Sequence, residues 1–202
     1  MGTTSLKAVL FDESATPIKT VTKDYTLQVD GDFVTFPPQQ YWELFSQALE
    51  ELSAEHAITA LSIDTQCETL IVADAAGNPL TDAIVWLDNR AVREAEIIRE
   101  HFGEQKVYEI TGQPEVTATW PACKLLWLRE HRPDLWPQID KIFLLEDYLL
   151  YRLTGQFVSE QTLQSSTIYY DIRKHTWWTE MLDFIGISPR PVSYTHLTLP
   201  TT

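Results

Sequence analysis

A chain of 202 residues with 44% hydrophobic and 11% aromatic content carries enough apolar material for one large domain or two small ones. Its formal net charge of −14 and pI near 4.6 argue against an electrostatic grip on nucleic acid or on an anionic membrane, because both require a basic surface. Two cysteines, Cys67 and Cys123, stand without CxxC spacing or a histidine cluster, which leaves neither a disulfide framework nor a zinc site and fits a reducing cytoplasm. No apolar run reaches the roughly 18 residues of a membrane span, and the start of the chain lacks a basic-then-apolar signal pattern.

In chain order, the small polar stretch Met1-Gly2-Thr3-Thr4-Ser5 opens into an apolar run, Lys7 to Asp12, that reads as a strand. A turn of glycine and hydroxyl residues can aim backbone N–H and side-chain O–H groups at a phosphate, and a plain hairpin turn has the same composition. Thr20 to Leu27 alternates as a strand, and Gly31 to Phe36 reads as an exposed loop ending at Pro37-Pro38. Tyr41, Trp42, Phe45, Ala48, Leu49 and Leu52 then recur at helical spacing, which predicts a helix over Gln39 to Ser53 with one core-facing stripe.

The stretch from Ile58 to Arg90 is the most informative. Ile58 to Ile63 and Thr69 to Ala73 are two β-branched runs, and both predict strands. Between them lies a polar segment, Asp64-Thr65-Gln66-Cys67-Glu68, that strand formation alone does not explain. A third run, Ala83 to Trp86, follows the turn-forming cluster Asp74 to Pro79, which predicts a hairpin. Asp88 is placed to cap a helix beginning near Asn89. That helix carries Ala91, Ala95, Ile98 and Phe102 on one face, Arg and Glu on a solvated face, and Gly103 as its stop.

Val107 to Gln113 has only a weak pattern, whereas Pro121 to Pro133 reads as a helix, followed by a short helical piece at Leu135 and Trp136. Ile142 to Leu145 reads as a buried strand, Glu146 to Gly155 as a helix, Ser159 to Asp171 as a polar connection, and Trp177 to Ile185 as a last helix closed by Gly186. Strands alternating with helices imply an α/β layer architecture. Val192 to Thr202 continues no pattern and looks like a translated sequencing adapter, so residues 1–191 are read as the domain and 192–202 as a non-native tail.

Four strings, GTTSLKAVLFD, TQCETLIVADAAGNPLTDAIVWLDNRA, FLLEDYLLYRLTG and SSTIYYDIRKHTWW, together resemble the N-terminal domain of the FGGY carbohydrate kinases, over essentially Gly2 to Ser188. The resemblance implies an actin-like, ribonuclease-H-like α/β domain, the first of two copies, with ATP, Mg2+ and a small sugar or polyol bound in the cleft between copies. It implies that Gly2, Thr3, Thr4 and Ser5 form a phosphate loop and that Lys7 approaches the nucleotide phosphates. Gln66, Cys67, Glu68 and Thr69 match the segment lining the sugar site, where the glutamate accepts bonds from substrate hydroxyls, and Trp120 matches an aromatic over the substrate. Trp86, Asp88 and Arg90 match a WxDxR-like segment read as wall and helix start.

By the same resemblance the magnesium-binding aspartate precedes Met1, the family's first strand precedes it too, and the catalytic aspartate lies beyond the matched region. The chain alone is then truncated at both ends and inactive. Glycerol kinases of the family carry arginine where Cys67 stands, which opposes glycerol and favours a ketopentose such as xylulose. A non-catalytic actin-like binding protein is the rival from another class, and a homodimer is left open.

Overall fold

The computed structural model describes residues 1–188 and the backbone of the two-residue strand Tyr194–Thr195. Strands β1 (Ser5–Phe11) and β2 (Pro17–Asp24) form an antiparallel hairpin in register from Ser5 opposite Asp24 to Leu10 opposite Lys19, with a shift before Phe11 opposite Pro17. Leu6 and Val21 point inward, so the alternation expected of a half-buried strand is met. Gly31 to Phe36 is not a loop: β3 (Gln28–Asp30) and β4 (Phe33–Phe36) make a second hairpin around Gly31. Val34 and Phe36 are buried on one face of it, a period-2 signal that the flanking glycine and prolines obscured.

Helix α1 (Pro38–Ser53) follows the predicted stripe, burying Tyr41, Phe45, Ala48 and Leu52. The next predicted strand does not form. Residues 57–63 are extended chain outside any ladder, and none of their backbone groups bonds another described residue. Strand β5 (Leu70–Ala73) is fully buried, and β6 (Ala83–Ile84) pairs with it antiparallel beyond the expected turn.

Helix α2 (Val92–Phe102) starts later than expected and has Ala91, not Asp88, at its cap position. Its apolar face is the predicted one, but its charged face is not all solvated, because Glu94 is buried. Helix α3 (Glu104–Thr111) fills the weakly patterned stretch. It turns only twice between Gly103 and Gly112, both at positive φ, and buries just Val107 and Thr111, too few for a periodic stripe.

Helix α4 (Pro121–His131) leads through a 3₁₀ turn, Trp136–Gln138, to β7 (Lys141–Leu144) and α5 (Leu145–Thr154). The polar connection resolves into β8 (Val158–Ser159), α6 (Gln161–Ser165) and β9 (Tyr170–Asp171), which pairs with β10 (Thr176–Trp177) ahead of α7 (Thr179–Ile185). The non-native tail assigned to 192–202 lies outside the described residues except for β11 (Tyr194–Thr195), whose backbone pairs in parallel with β8.

The central sheet has strand order β3-β4-β6-β5-β7, with every neighbouring pair antiparallel. Alternate residues feed two cores. Leu70, Val72, Ile84 and Ile142 face a core with residues of α2, α4 and α7, whereas Ile71, Ala73, Ala83, Val85 and Phe143 face one built with α1, α5 and the β1–β2 hairpin. Helices covering both faces explain why β5 is apolar at every position instead of alternating.

Candidate functional site

The turn before β1 and the segment before β5 meet at a cleft of about 410 Å³, lined by Met1, Gly2, Thr3, Asp64, Thr65, Gln66, Glu68 and Trp86. The turn is closed by the Gly2 N–H donating to the Ser5 carbonyl at 2.9 Å. It is pinned from one side by the Tyr25 hydroxyl, which donates to the Gly2 carbonyl, and from the other by the Trp86 indole N–H, which donates to Thr3 Oγ1 at 3.2 Å. The amides of Thr3 and Thr4 make no hydrogen bond among the described residues. Two successive unpaired N–H groups on a fixed turn are a donor pair that an anionic oxygen can accept from.

Across the cleft, the Met1 amino group donates to the Asp64 carbonyl and the Met1 carbonyl accepts from the Gln66 amide at 2.9 Å. Those two bonds form one rung of a parallel ladder centred on Thr65. Gln66 Nε2 donates to the buried Tyr41 hydroxyl at 2.7 Å, which fixes the side-chain amide. Gln66 Oε1, Thr65 Oγ1 and Thr69 Oγ1 are buried without a protein partner. Three orphaned acceptors within five residues are costly unless something polar meets them.

Lys124 stands behind this segment. Its ammonium is fully buried and donates to the Val85 carbonyl at 2.9 Å and towards the Glu68 carbonyl at 3.5 Å, joining the end of β6 to the polar segment. Burial is the main reason its pKa falls to about 7, with nearby Asp88 pulling the other way. Asp88 itself does not cap a helix. Its carboxylate accepts from the Val34 amide at 2.6 Å and from the Arg90 guanidinium at 2.8 Å through both oxygens, and that guanidinium lies 4.4 Å from the Phe33 ring centroid and 4.9 Å from that of Trp127. The Asp88–Arg90 pair is therefore a structural tie between β4 and the chain after β6.

Of the residues singled out in the sequence, Gly2, Thr3, Gln66, Glu68 and the wall residue Trp86 converge on the cleft. Thr4 lies exposed in the same turn, while Ser5 and Lys7 belong to β1 and border a neighbouring groove. Cys67 does not line the cleft: its thiol contacts the Thr65 carbonyl at 3.6 Å, and burial together with Glu68 and Asp64 pushes its pKa up, away from thiolate chemistry. Trp120 is also apart, capping α4 with its indole N–H bonded to the Glu115 carbonyl at 2.8 Å. Lys124 was missed, and Asp64 was singled out only as part of the polar segment, without a role. The signal for Lys124 was a lysine between Cys123 and Leu125 in the apolar first half of α4; for Asp64 it was a second carboxylate four residues before Glu68.

The free amides and orphaned acceptors suit a ligand bearing both phosphate oxygens and hydroxyls. A hard cation would find oxygen ligands in Asp64 and Glu68 beside such phosphates, where it would offset their charge. Among the described residues the one group of three clustered ligating side chains, Glu94, Glu130 and His131, lies elsewhere, on α2 and α4.

A family model described as "FGGY family of carbohydrate kinases, N-terminal domain" matches residues 1–200. The chain is 30% identical to xylulose kinase of Escherichia coli (strain K12) over 197 residues, covering 93% of this chain and 39% of that protein. It is 32% identical to glycerol kinase of Thermococcus onnurineus (strain NA1) over 197 residues, covering 92% and 39% respectively. Ligand-bound xylulose kinase from Lactobacillus acidophilus superposes with a TM-score of 0.91 at 27% identity, over 96% of this chain and 40% of that one. The chain thus spans about 40% of the length of the relatives it matches. With the α/β architecture and the converging turn and polar segment, these matches show that the chain belongs to the FGGY family of carbohydrate kinases and has the actin-like, ribonuclease-H-like fold of their N-terminal domain.

Proposed function

We propose that the whole protein transfers the γ-phosphoryl group of Mg-ATP to a hydroxyl of a small sugar or polyol, with a ketopentose such as xylulose preferred, and that this domain supplies one wall of the site. The observation that carries the reading is the cleft itself, where a turn with two free amides faces Gln66 and Glu68 over orphaned buried acceptors. Bound ATP and Mg2+ would supply the phosphoryl group and charge neutralisation, and phosphoryl transfer depends chiefly on positioning and electrostatics. This domain's share is to hold hydroxyls on Glu68 and Gln66, to offer the Thr3 and Thr4 amides to phosphate oxygens, and to stiffen the cleft through Trp86 and Lys124.

Glycerol is the second reading, favoured by a glycerol kinase relative of 32% identity and opposed by Cys67. The test is steady-state phosphorylation of ketopentoses, gluconate and glycerol by the full-length protein and its Glu68→Ala variant, with ATP affinity measured separately. A carboxylate is acceptor-only, so losing it strands the substrate hydroxyls at about 1.5–3 kcal/mol, roughly tenfold to a hundredfold in kcat/KM, while ATP affinity holds. Unchanged sugar kinetics, or a defect confined to ATP, would remove Glu68 from the site.

A further inference from the structure

Helices α2 and α4 share the core on one face of the sheet, and between them lies a carboxylate whose inner oxygen has no donor. Glu94, in the first turn of α2, is 1% exposed. Its Oε1 lies 3.9 Å from Nδ1 of His131 on α4, and its buried Oε2 makes no hydrogen bond among the described residues. The start of a helix favours an anion, yet the first-turn amides of α2 leave Oε2 unmet. Burial is the main reason the Glu94 pKa rises, with its own backbone and nearby His131 opposing the rise. A buried carboxylate oxygen without a donor is costly, and a bound cation offsets that cost.

Two further ligating side chains reach the same point from the end of α4. One ligating atom from each of Glu94, Glu130 and His131 lies within 4.8 Å of the other two. The His131 ring stacks on Trp127, with ring centroids 4.7 Å apart and 9° between the planes, and its Nδ1 lies 3.0 Å from the Trp127 carbonyl. Those two contacts fix where the imidazole sits, as the supporting shell of a metal ligand does. Arg129 stands 3.9 Å from Glu130, beyond hydrogen-bond length, because its guanidinium donates to the carbonyls of Phe184 and Ile185 at 2.8 and 2.7 Å. The Glu130 carboxylate is therefore left to a different cation.

We propose that Glu94, Glu130 and His131 form a zinc site that clamps α2 to α4. Two carboxylates and one imidazole give too few oxygens for calcium and no thiolate for copper(I), and they match a zinc ion with three protein ligands and a water. Zinc ligands at about 2.0–2.2 Å stand roughly 3.5 Å apart. Glu130 and His131, with side chains 36% and 44% exposed, have the freedom to close that distance while Glu94 stays buried. Cysteine spacing excluded a thiolate zinc site, whereas this one takes oxygen and nitrogen ligands from two helices that only packing brings together. The site is independent of the kinase reading, because it uses no residue of the cleft. Its consequence is stiffness in α4, the helix whose Lys124 reaches the Val85 and Glu68 carbonyls behind the polar segment.

The test is calorimetric titration of Zn2+ into the metal-stripped full-length protein and its Glu94→Gln, His131→Ala and His56→Ala variants, with melting temperature measured at each zinc concentration. The expected result is a zinc equivalent bound in the micromolar range that raises the melting temperature of the parent. Glu94→Gln and His131→Ala should each weaken that binding by at least about tenfold. His56→Ala removes an exposed histidine elsewhere and should bind as the parent does. His131 is part exposed, so His131→Ala carries the test even if the buried substitution disturbs the fold. The absence of micromolar zinc binding by the parent would overturn the proposal. Parent-like zinc binding by His131→Ala would overturn it too, because the ion would then sit elsewhere.

Discussion

Residues 58–63 and 70–73 are nearly the same kind of sequence, a few residues apart, and they have different fates. Leu70–Ala73 lies between β6 and β7, with four register pairs to β7 and every side chain buried. Among the described residues the stretch 58–63 joins no ladder, and Leu61 is 48% exposed. Nothing in β-branching separates them. Among the described residues 70–73 has flanking strands on both sides and 58–63 has none, and a β-branched run forms a strand only against such a partner.

The largest predicted effect breaks the closed region at its tie. Arg90→Ala leaves the fully buried Asp88 carboxylate without its cation at the edge of β4, which should cost about 3–5 kcal/mol in denaturant unfolding. A cost under about 1 kcal/mol would mean that the Val34 and Arg90 amides suffice to hold the charge.

The comparison is sharpest with one truncation in each run. Ile71→Ala removes a side chain with no exposure from a packed strand and should cost about 2–5 kcal/mol. Leu61→Ala should stay within about 0.5 kcal/mol, because that side chain is half in solvent already. Equal costs, read from urea midpoints at constant slope, would show that the two runs are equally ordered.

A further test concerns charge, which the packed region buries at Asp147 and Lys124. Burial raises the Asp147 carboxyl from 3.8 to about 7, so the folded state keeps a proton that the unfolded chain releases between those values. Stability therefore falls as pH rises from about 4 to about 7. Burial lowers Lys124 from 10.5 to about 7, so above about 7 the unfolded chain holds the extra proton and stability climbs again towards pH 10. Melting temperature against pH should show a minimum near neutrality. Asp147→Asn should flatten the acidic side and Lys124→Met the alkaline side, and a curve unchanged by both substitutions would contradict the assignment.

The α1 and α2 apolar faces, the hairpin around Asp74–Pro79 and the junction of Gly2, Thr3, Gln66 and Glu68 were readable from residue spacing and family strings, because each depends on neighbours within a few turns or on a short string of fixed chemistry. That Trp120 and Cys67 do not line the cleft was not readable, for the opposite reason. Their side-chain directions follow from how α4 and the 65–69 segment sit against the sheet, which no local pattern records.

The sequence by itself determined the periodic elements, the acidic net charge and the family, since these follow from local sterics, from counted charges and from strings of residues in order. Tertiary structure alone decided that Lys124, Glu94 and Asp147 are buried and that Asp88 ties β4 instead of capping α2. Each of those outcomes depends on which distant backbone or side chain arrives alongside, and burial, pairing and strand formation are properties of that meeting and not of the residue.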